Sequence, residues 1–200
     1  MSTAVVAQPI GRQTLDIGLV FKQGWRLFVK DIGPLIVGAL IVCALSIVTL
    51  GILAGPLAAG LYGMVVKRVR DKQQPEVGDV FGQMNRFWSF FAAALVLGIL
   101  IGLASLTIIG GILLATIWLY VFPLMVDRNM GLGEAMSTSY RMVKEAGFWE
   151  HLALVIVFVV ITSITNGALA VLATPFLVAA VAAGYYLAAG KGDELERAAV

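Results

Sequence analysis

Three long stretches of this chain carry no charge, and that constrains the fold more than any motif does. Between Asp31 and Lys67 lie 35 residues without Asp, Glu, Lys or Arg; between Arg86 and Asp127 lie 40; between Glu150 and Lys191 lie another 40, with His151 at the edge. A helix rises about 1.5 Å per residue, so 40 residues would make a rod of about 60 Å. The hydrocarbon core of a bilayer is only about 30 Å thick. Each stretch therefore predicts two helices of roughly 17–20 residues, folded back as a hairpin. Each centre holds turn formers: Gly51 to Pro56, Gly110-Gly111 and Asn166-Gly167.

A soluble core is the competing explanation, and it fails on periodicity. Segments such as VGALIVCALSIVTLGIL and LALVIVFVVITSIT show no polar stripe, and helices apolar all round are usually membrane spans. Composition agrees. The chain is 60% hydrophobic and 13% charged, against about 45–50% and about 25% in a soluble domain. The 26 charged residues are few for coating a soluble domain of 200 residues. The expected fold is all-α, a polytopic membrane helical bundle of about six transmembrane helices arranged as three hairpins. A net charge of +2 is too small to imply a nucleic-acid partner. The single cysteine, Cys43, has no partner for an intrachain disulfide. Met1 to Thr14 holds one charge, Arg12, and no long apolar core, so no secretory signal is expected and the first membrane segment should stay in the mature protein.

Charge placement also orients the bundle. With six spans, both termini and both linkers between hairpins share one side, and all 14 Lys and Arg residues fall there. Positive residues mark the cytoplasmic side. The expectation is a multi-pass protein of the bacterial cytoplasmic (inner) membrane with N- and C-termini cytoplasmic.

Each hairpin is preceded by a stretch of helical periodicity. The expected apolar faces are Phe21, Trp25 and Phe28; then Val77, Val80, Phe81, Met84, Phe87 and Trp88; then Leu132, Met136, Tyr140 and Val143. Such amphipathic helices suit the membrane–water interface or the ends of a bundle. The organisation reads as a disordered tail at 1–13, one transmembrane domain at 14–190 and a cytoplasmic tail at 191–200. Within the domain, 14–72, 75–130 and 131–190 form three weak repeats.

The pieces FKQGWRLFVKDIGPLI, GPLAAGLYGMVVKRVRDKQQPEVGDVFGQMNRF and YVFPLMVDRNMGLGEAMSTSYRMVKEAG carry a resemblance. Over roughly Phe21 to Gly190 the chain resembles a broad group of uncharacterised polytopic bacterial membrane proteins. These are loosely similar to the membrane domain of some glycerophosphoryl diester phosphodiesterases. The chain holds no catalytic phosphodiesterase domain, so the resemblance implies a membrane fold and carries over no activity or substrate.

Few residues invite chemistry. Gly55 to Gly60 has the glycine spacing of a phosphate loop, but Leu61-Tyr62 stands where Lys-Ser/Thr is required. Small residues four apart suit close helix packing in lipid instead: Gly51 with Gly55, Gly98 with Gly102, Ala179 with Ala183, and Ala180 with Gly184. That packing is either within the chain or between copies. Lys67, Arg68, Arg70 and Lys72 are candidates for contact with anionic lipid headgroups or act simply as a topology anchor. The predicted spans hold no ionisable residue of the kind ion-coupled pumps keep. His151 stands alone, and Asp127-Arg128 reads as a surface ion pair. No catalytic residue, cofactor or metal site is expected. The expected role is a non-enzymatic scaffold, assembly or lipid-interacting component, with the bilayer and a second copy or another membrane protein as partners. A transporter for an apolar or amphiphilic solute is the alternative.

Overall fold

The computed structural model describes residues 15–165 and 168–199. The tail expected at 1–13 and the Asn166-Gly167 turn lie outside them. Among the described residues the protein is 82% helical and has no strand, which places it in the all-α class.

The first helix, α1 (Ile17–Lys30), is capped by Asp16, whose carboxylate accepts the Leu19 amide at 3.1 Å. It meets α2 (Ile32–Val48) at 91°. Pro34 explains the bend. In the first turn of α2 its missing N–H costs little, but a continuous helix would drive its ring into the carbonyl of Lys30. The chain turns at Thr49 to Leu53, where Thr49 donates to Leu45 O at 2.7 Å and accepts the Leu53 amide at 3.3 Å. Helix α3 (Ala54–Val66) follows. Pro56, expected in the outer turn, instead lies buried in the first turn of α3.

Helix α3 continues as a π-helical turn, Lys67–Asp71, so the helical segment runs from Ala54 to Asp71. The amphipathic helix expected next is two 3₁₀ turns, Val77–Phe81 and Met84–Arg86. They lead into α4 (Phe87–Ala104). The second reversal falls at Ser105 to Thr107 rather than at Gly110-Gly111. Ser105 and Thr107 hydroxyls donate to the carbonyls of Ile101 and Ala104 that end α4.

Helices α5 (Ile108–Ile117) and α6 (Val121–Asp127) are separated by a break at Trp118 to Tyr120. Helix α7 (Leu132–Glu145) meets α8 (Phe148–Ile164) at 109°, through Gly147 at φ +107°, a value L side chains rarely adopt. Helix α9 (Ala168–Ala188), which holds Pro175 in its interior, and α10 (Gly192–Ala199) complete the described chain.

Among the described residues two helical segments, Val77–Ala104 and Ile109–Asp127, are long and apolar enough to cross a membrane, or up to four if each bent pair counts as one span. Helix α3 sits at the centre, packed by α2, α4, α6, α9 and the 3₁₀ turn at Val77–Phe81. Nine of its thirteen residues are buried. Helix α1 lies along α9, where a Cβ on Gly24 would stand 2.7 Å from Ala180 Cα.

The helices leading into α2 and α8 turn small residues and polar groups inward. Helix α1 buries Val20, Gln23, Gly24, Leu27 and Phe28, and α7 buries Ala135, Thr138, Ser139 and Val143. Of the residues expected on the apolar faces, which suit either the membrane–water interface or the ends of the bundle, Trp25, Phe81, Trp88 and Tyr140 are exposed. Small residues such as Gly24 and Ala135 allow close approach to the bundle, and Phe28 is buried as well.

Candidate functional site

The charged residues meet at one end of the bundle, and the π-helical turn is their hub. Its cations reach in different directions. Lys67 Nζ donates to Asp79 Oδ2 at 2.8 Å, tying α3 to the first 3₁₀ turn. Asp79 also accepts the Glu76 amide at 2.7 Å, closing a reciprocal cap on that turn. Arg68 forks onto Asp31, with Nε to Oδ2 at 2.6 Å and Nη2 to Oδ1, so it holds the corner between α1 and α2. Only 3% of the Asp31 side chain is exposed. Arg70 binds Asp71 through both Nε (2.9 Å) and Nη2 (3.2 Å), and its Nη1 donates to the Asp127 carbonyl at 3.2 Å.

Asp127 ends α6 with 4% of its side chain exposed. Tyr185 donates to its Oδ2 at 2.7 Å and Tyr186 to its Oδ1 at 3.3 Å, with Arg70 Nη1 3.7 Å away. The surface pair expected between Asp127 and Arg128 is replaced by an arrangement with Tyr185 between them, since Arg128 Nε donates to Tyr185 Oη at 3.1 Å. Arg86 donates to the carbonyls of Met125 (2.7 Å) and Met130 (2.9 Å). Together with Arg70 it places positive charge at the carbonyl end of α6, where the helix dipole favours it.

The electrostatics follow the pairing. Burial alone would raise the Asp79 carboxyl, but hydrogen bonds from Lys67 and the Glu76 amide hold it below its ordinary value. The hydrogen bond from Arg70 lowers Asp71 in the same way. The hydrogen bond to Asp79 raises Lys67, and the one to Asp31 raises Arg68.

A cleft of about 200 Å³ opens beside the hub. Lys67, Arg70, Asp71, Asp79 and Gln83 supply its polar lining, and Gly63, Val66 and Val126 its apolar side. Arg68 does not line it. Lys72 follows the turn in a left-handed conformation, φ 56°, and is exposed.

The glycines expected to pack divide into two groups. A Cβ on Gly55 would stand 2.4 Å from Phe90 O, and one on Gly184 2.9 Å from Tyr120 Oη. Gly51, Gly98 and Gly102 have nothing within 4 Å of that position. Gly51 is used for its backbone instead, at φ +86° in the first turn. The tightest approach, at Gly60, escaped the four-residue spacing rule, because its neighbour is Val80 of the 3₁₀ turn rather than a parallel helix.

His151 is buried, its Nδ1 2.5 Å from Gly147 O and its ring edge-on to Tyr120 at 5.4 Å. Among the described residues no three of His, Cys, Asp and Glu converge to hold a metal. Comparison of the chain with family models, characterised proteins and solved structures finds no match.

Asp31, Asp79, Tyr185 and Tyr186 were invisible as site residues from sequence. Each is an ordinary residue until the fold brings it to the hub. The available signal was the run KRVRD itself, three cations beside the single carboxylate of Asp71.

Proposed function

We propose that this chain is a non-enzymatic, six-span protein of the bacterial cytoplasmic membrane, with both termini cytoplasmic, acting as a scaffold, assembly or lipid-interacting component. One observation carries the reading. The outer faces of α2, α4 and α8 are apolar along helices of 17 or 18 residues, about 25–27 Å, while the hub gathers the charge at one end. Trp88 and Trp149 are exposed at the starts of α4 and α8, at 76% and 74%, and Trp25 on α1, the helix leading into α2, at 56%. Tryptophan concentrates where hydrocarbon meets headgroups, so the three rings suit one interface.

In this reading α2 with α3, α4 with α5 and α6, and α8 with α9 are the three out-and-back pairs, and each pair is in contact. Helix α3, about 20 Å long at 13 residues, is surrounded by protein and so escapes the mismatch a lipid-facing helix would suffer. Asp31, Asp79 and Asp127 are held by cations or tyrosines from other segments and tie those segments together, which supports a structural role. Gly98 and Gly102, open on the outer face of α4, suit contact with a second copy or another membrane protein.

Cysteine labelling tests the topology. In a Cys43→Ser background, Thr107→Cys and Gln74→Cys are introduced singly and intact cells are treated with an impermeant maleimide. Thr107→Cys is expected to react and Gln74→Cys to react only after the cells are opened. Reaction at Gln74→Cys alone reverses the orientation, and equal reaction removes the paired arrangement. Flux of an amphiphilic dye through proteoliposomes of the purified chain would replace the scaffold by a transporter.

A further inference from the structure

We propose that the cleft beside the π-helical turn binds a zwitterionic phosphoethanolamine headgroup, with the phosphate on Lys67 and Arg70 and the ammonium between Asp71 and Asp79. The proposal deepens the membrane reading and rests on it for the source of the ligand. The size of the cleft, about 200 Å³, is the first argument. It falls below the roughly 300–1,000 Å³ of sites for drug-sized ligands. A headgroup fits, and acyl chains must lie outside along the apolar shaft.

The lining supplies the second argument. Gly63, Val66 and Val126 belong to α3 and α6, whereas the charged residues come from the π-helical and 3₁₀ turns. The cleft therefore straddles the boundary between apolar helix and charged end, where a lipid headgroup sits.

Charge supplies the third. Two cations and two carboxylates line the cleft, and they sum to zero. A plain anion entering it would approach two carboxylates, and a plain cation would approach Lys67 and Arg70. A zwitterion satisfies both sets. The guanidinium of Arg70 can fork onto phosphate oxygens, the Gln83 amide can donate to the same group, and a primary ammonium offers three donors to carboxylates. A trimethylammonium offers none, so phosphocholine is discriminated against.

Exchange is inexpensive. The existing pairs Lys67–Asp79 and Arg70–Asp71 are partly exposed, and pairs of that kind contribute little to stability. Arg68, locked onto buried Asp31 and outside the cleft, has no part in the exchange.

Native mass spectrometry of the purified full chain tests the site. The chain is held in detergent with equimolar dioleoyl-phosphatidylethanolamine, -phosphatidylcholine and -phosphatidylglycerol. The ethanolamine lipid is expected to be retained roughly tenfold over the others, the effect of one charge-assisted hydrogen bond. The variant Asp71→Asn/Asp79→Asn makes the cleft net positive and is expected to turn the preference to phosphatidylglycerol. Gly63→Leu tests the site independently with every charge intact. A Cβ there meets only ordinary contacts, Gln83 Nε2 at 3.5 Å and Val126 Cγ1 at 3.9 Å, so the longer side chain fills the cleft and should abolish the preference. Equal retention of ethanolamine and glycerol lipids by the unmodified chain overturns the proposal, as does a preference that survives Gly63→Leu. Excess sn-glycero-3-phosphoethanolamine tells the sources apart. Displacement supports recognition of the headgroup alone, including a free one, and retention supports recognition of the lipid. Failure of the cysteine topology with lipid selectivity intact removes the six-span reading and leaves the site, and the reverse result removes only the site.

Discussion

A glycine weakens a helix unless something needs the room left by its missing side chain. Two glycines of α3 meet that condition. A Cβ on Gly60 would fall 1.8 Å from Val80 O, and one on Gly55 2.4 Å from Phe90 O. In both cases the obstacle is backbone, which cannot rotate away. Gly98 of α4 meets nothing within 4 Å. Gly60→Ala is therefore expected to lower stability by about 1–3 kcal/mol through overpacking. Gly98→Ala should leave it unchanged or raise it by up to ~1 kcal/mol through helix propensity. Thermal unfolding in detergent, followed by circular dichroism, compares the two, and equal effects would sink the assignment of Gly60 as a crossing point. From sequence, Gly98 and Gly102 looked as suitable for packing as Gly55. Spacing shows which residues share a helical face, and it does not show whether anything stands opposite that face.

Breaks and bends decide how the helices combine. The break between α5 and α6 has a local cause in Pro123, which lies in the first turn of α6 and could not sit inside a continuous helix without losing a hydrogen bond. It is repaired from a distance by Ser139 of α7, whose hydroxyl donates to Ile117 O at 2.8 Å and accepts the Tyr120 amide at 3.2 Å. Ser139 is fully buried, so no solvent can substitute. Ser139→Ala is expected to cost about 1–3 kcal/mol by leaving buried backbone groups unpaired. Hydrogen exchange should localise the effect to the Tyr120 amide; a uniform change over α7 would indicate lost packing instead. The proline was legible in the sequence as a helix boundary. The serine was not, because a hydroxyl on an amphipathic helix reads as solvent-facing until the fold buries it. The aromatic residues were ambiguous for a different reason: periodicity puts Trp25 and Tyr140 on apolar faces that suit either the interface or the bundle, and the structure leaves both exposed.

At the scale of the whole molecule, the π-helical turn joins segments far apart in the chain, through Lys67 to Asp79, Arg68 to Asp31 and Arg70 to Asp127. The Arg68–Asp31 pair is the most enclosed of the three, so breaking it should matter most. Arg68→Met leaves a buried carboxylate uncompensated and is expected to cost about 3–5 kcal/mol. Arg68→Met with Asp31→Leu should recover most of that loss, because replacing both charges removes the desolvation penalty as well. Unfolding of the two variants in detergent checks this; a double variant no more stable than the single would show that the pair does not act as a unit. The sequence by itself determined that the chain is helical and apolar over membrane-crossing lengths, because rise per residue and the position of charges are local properties that no distant contact can change. Tertiary structure alone decided which carboxylate each cation meets, which glycine lies under a crossing backbone, and that the basic run is largely paired within the protein. Apart from the adjacent Arg70–Asp71 pair, those outcomes depend on residues 12 to 57 positions away, and no local periodicity records who the neighbour will be.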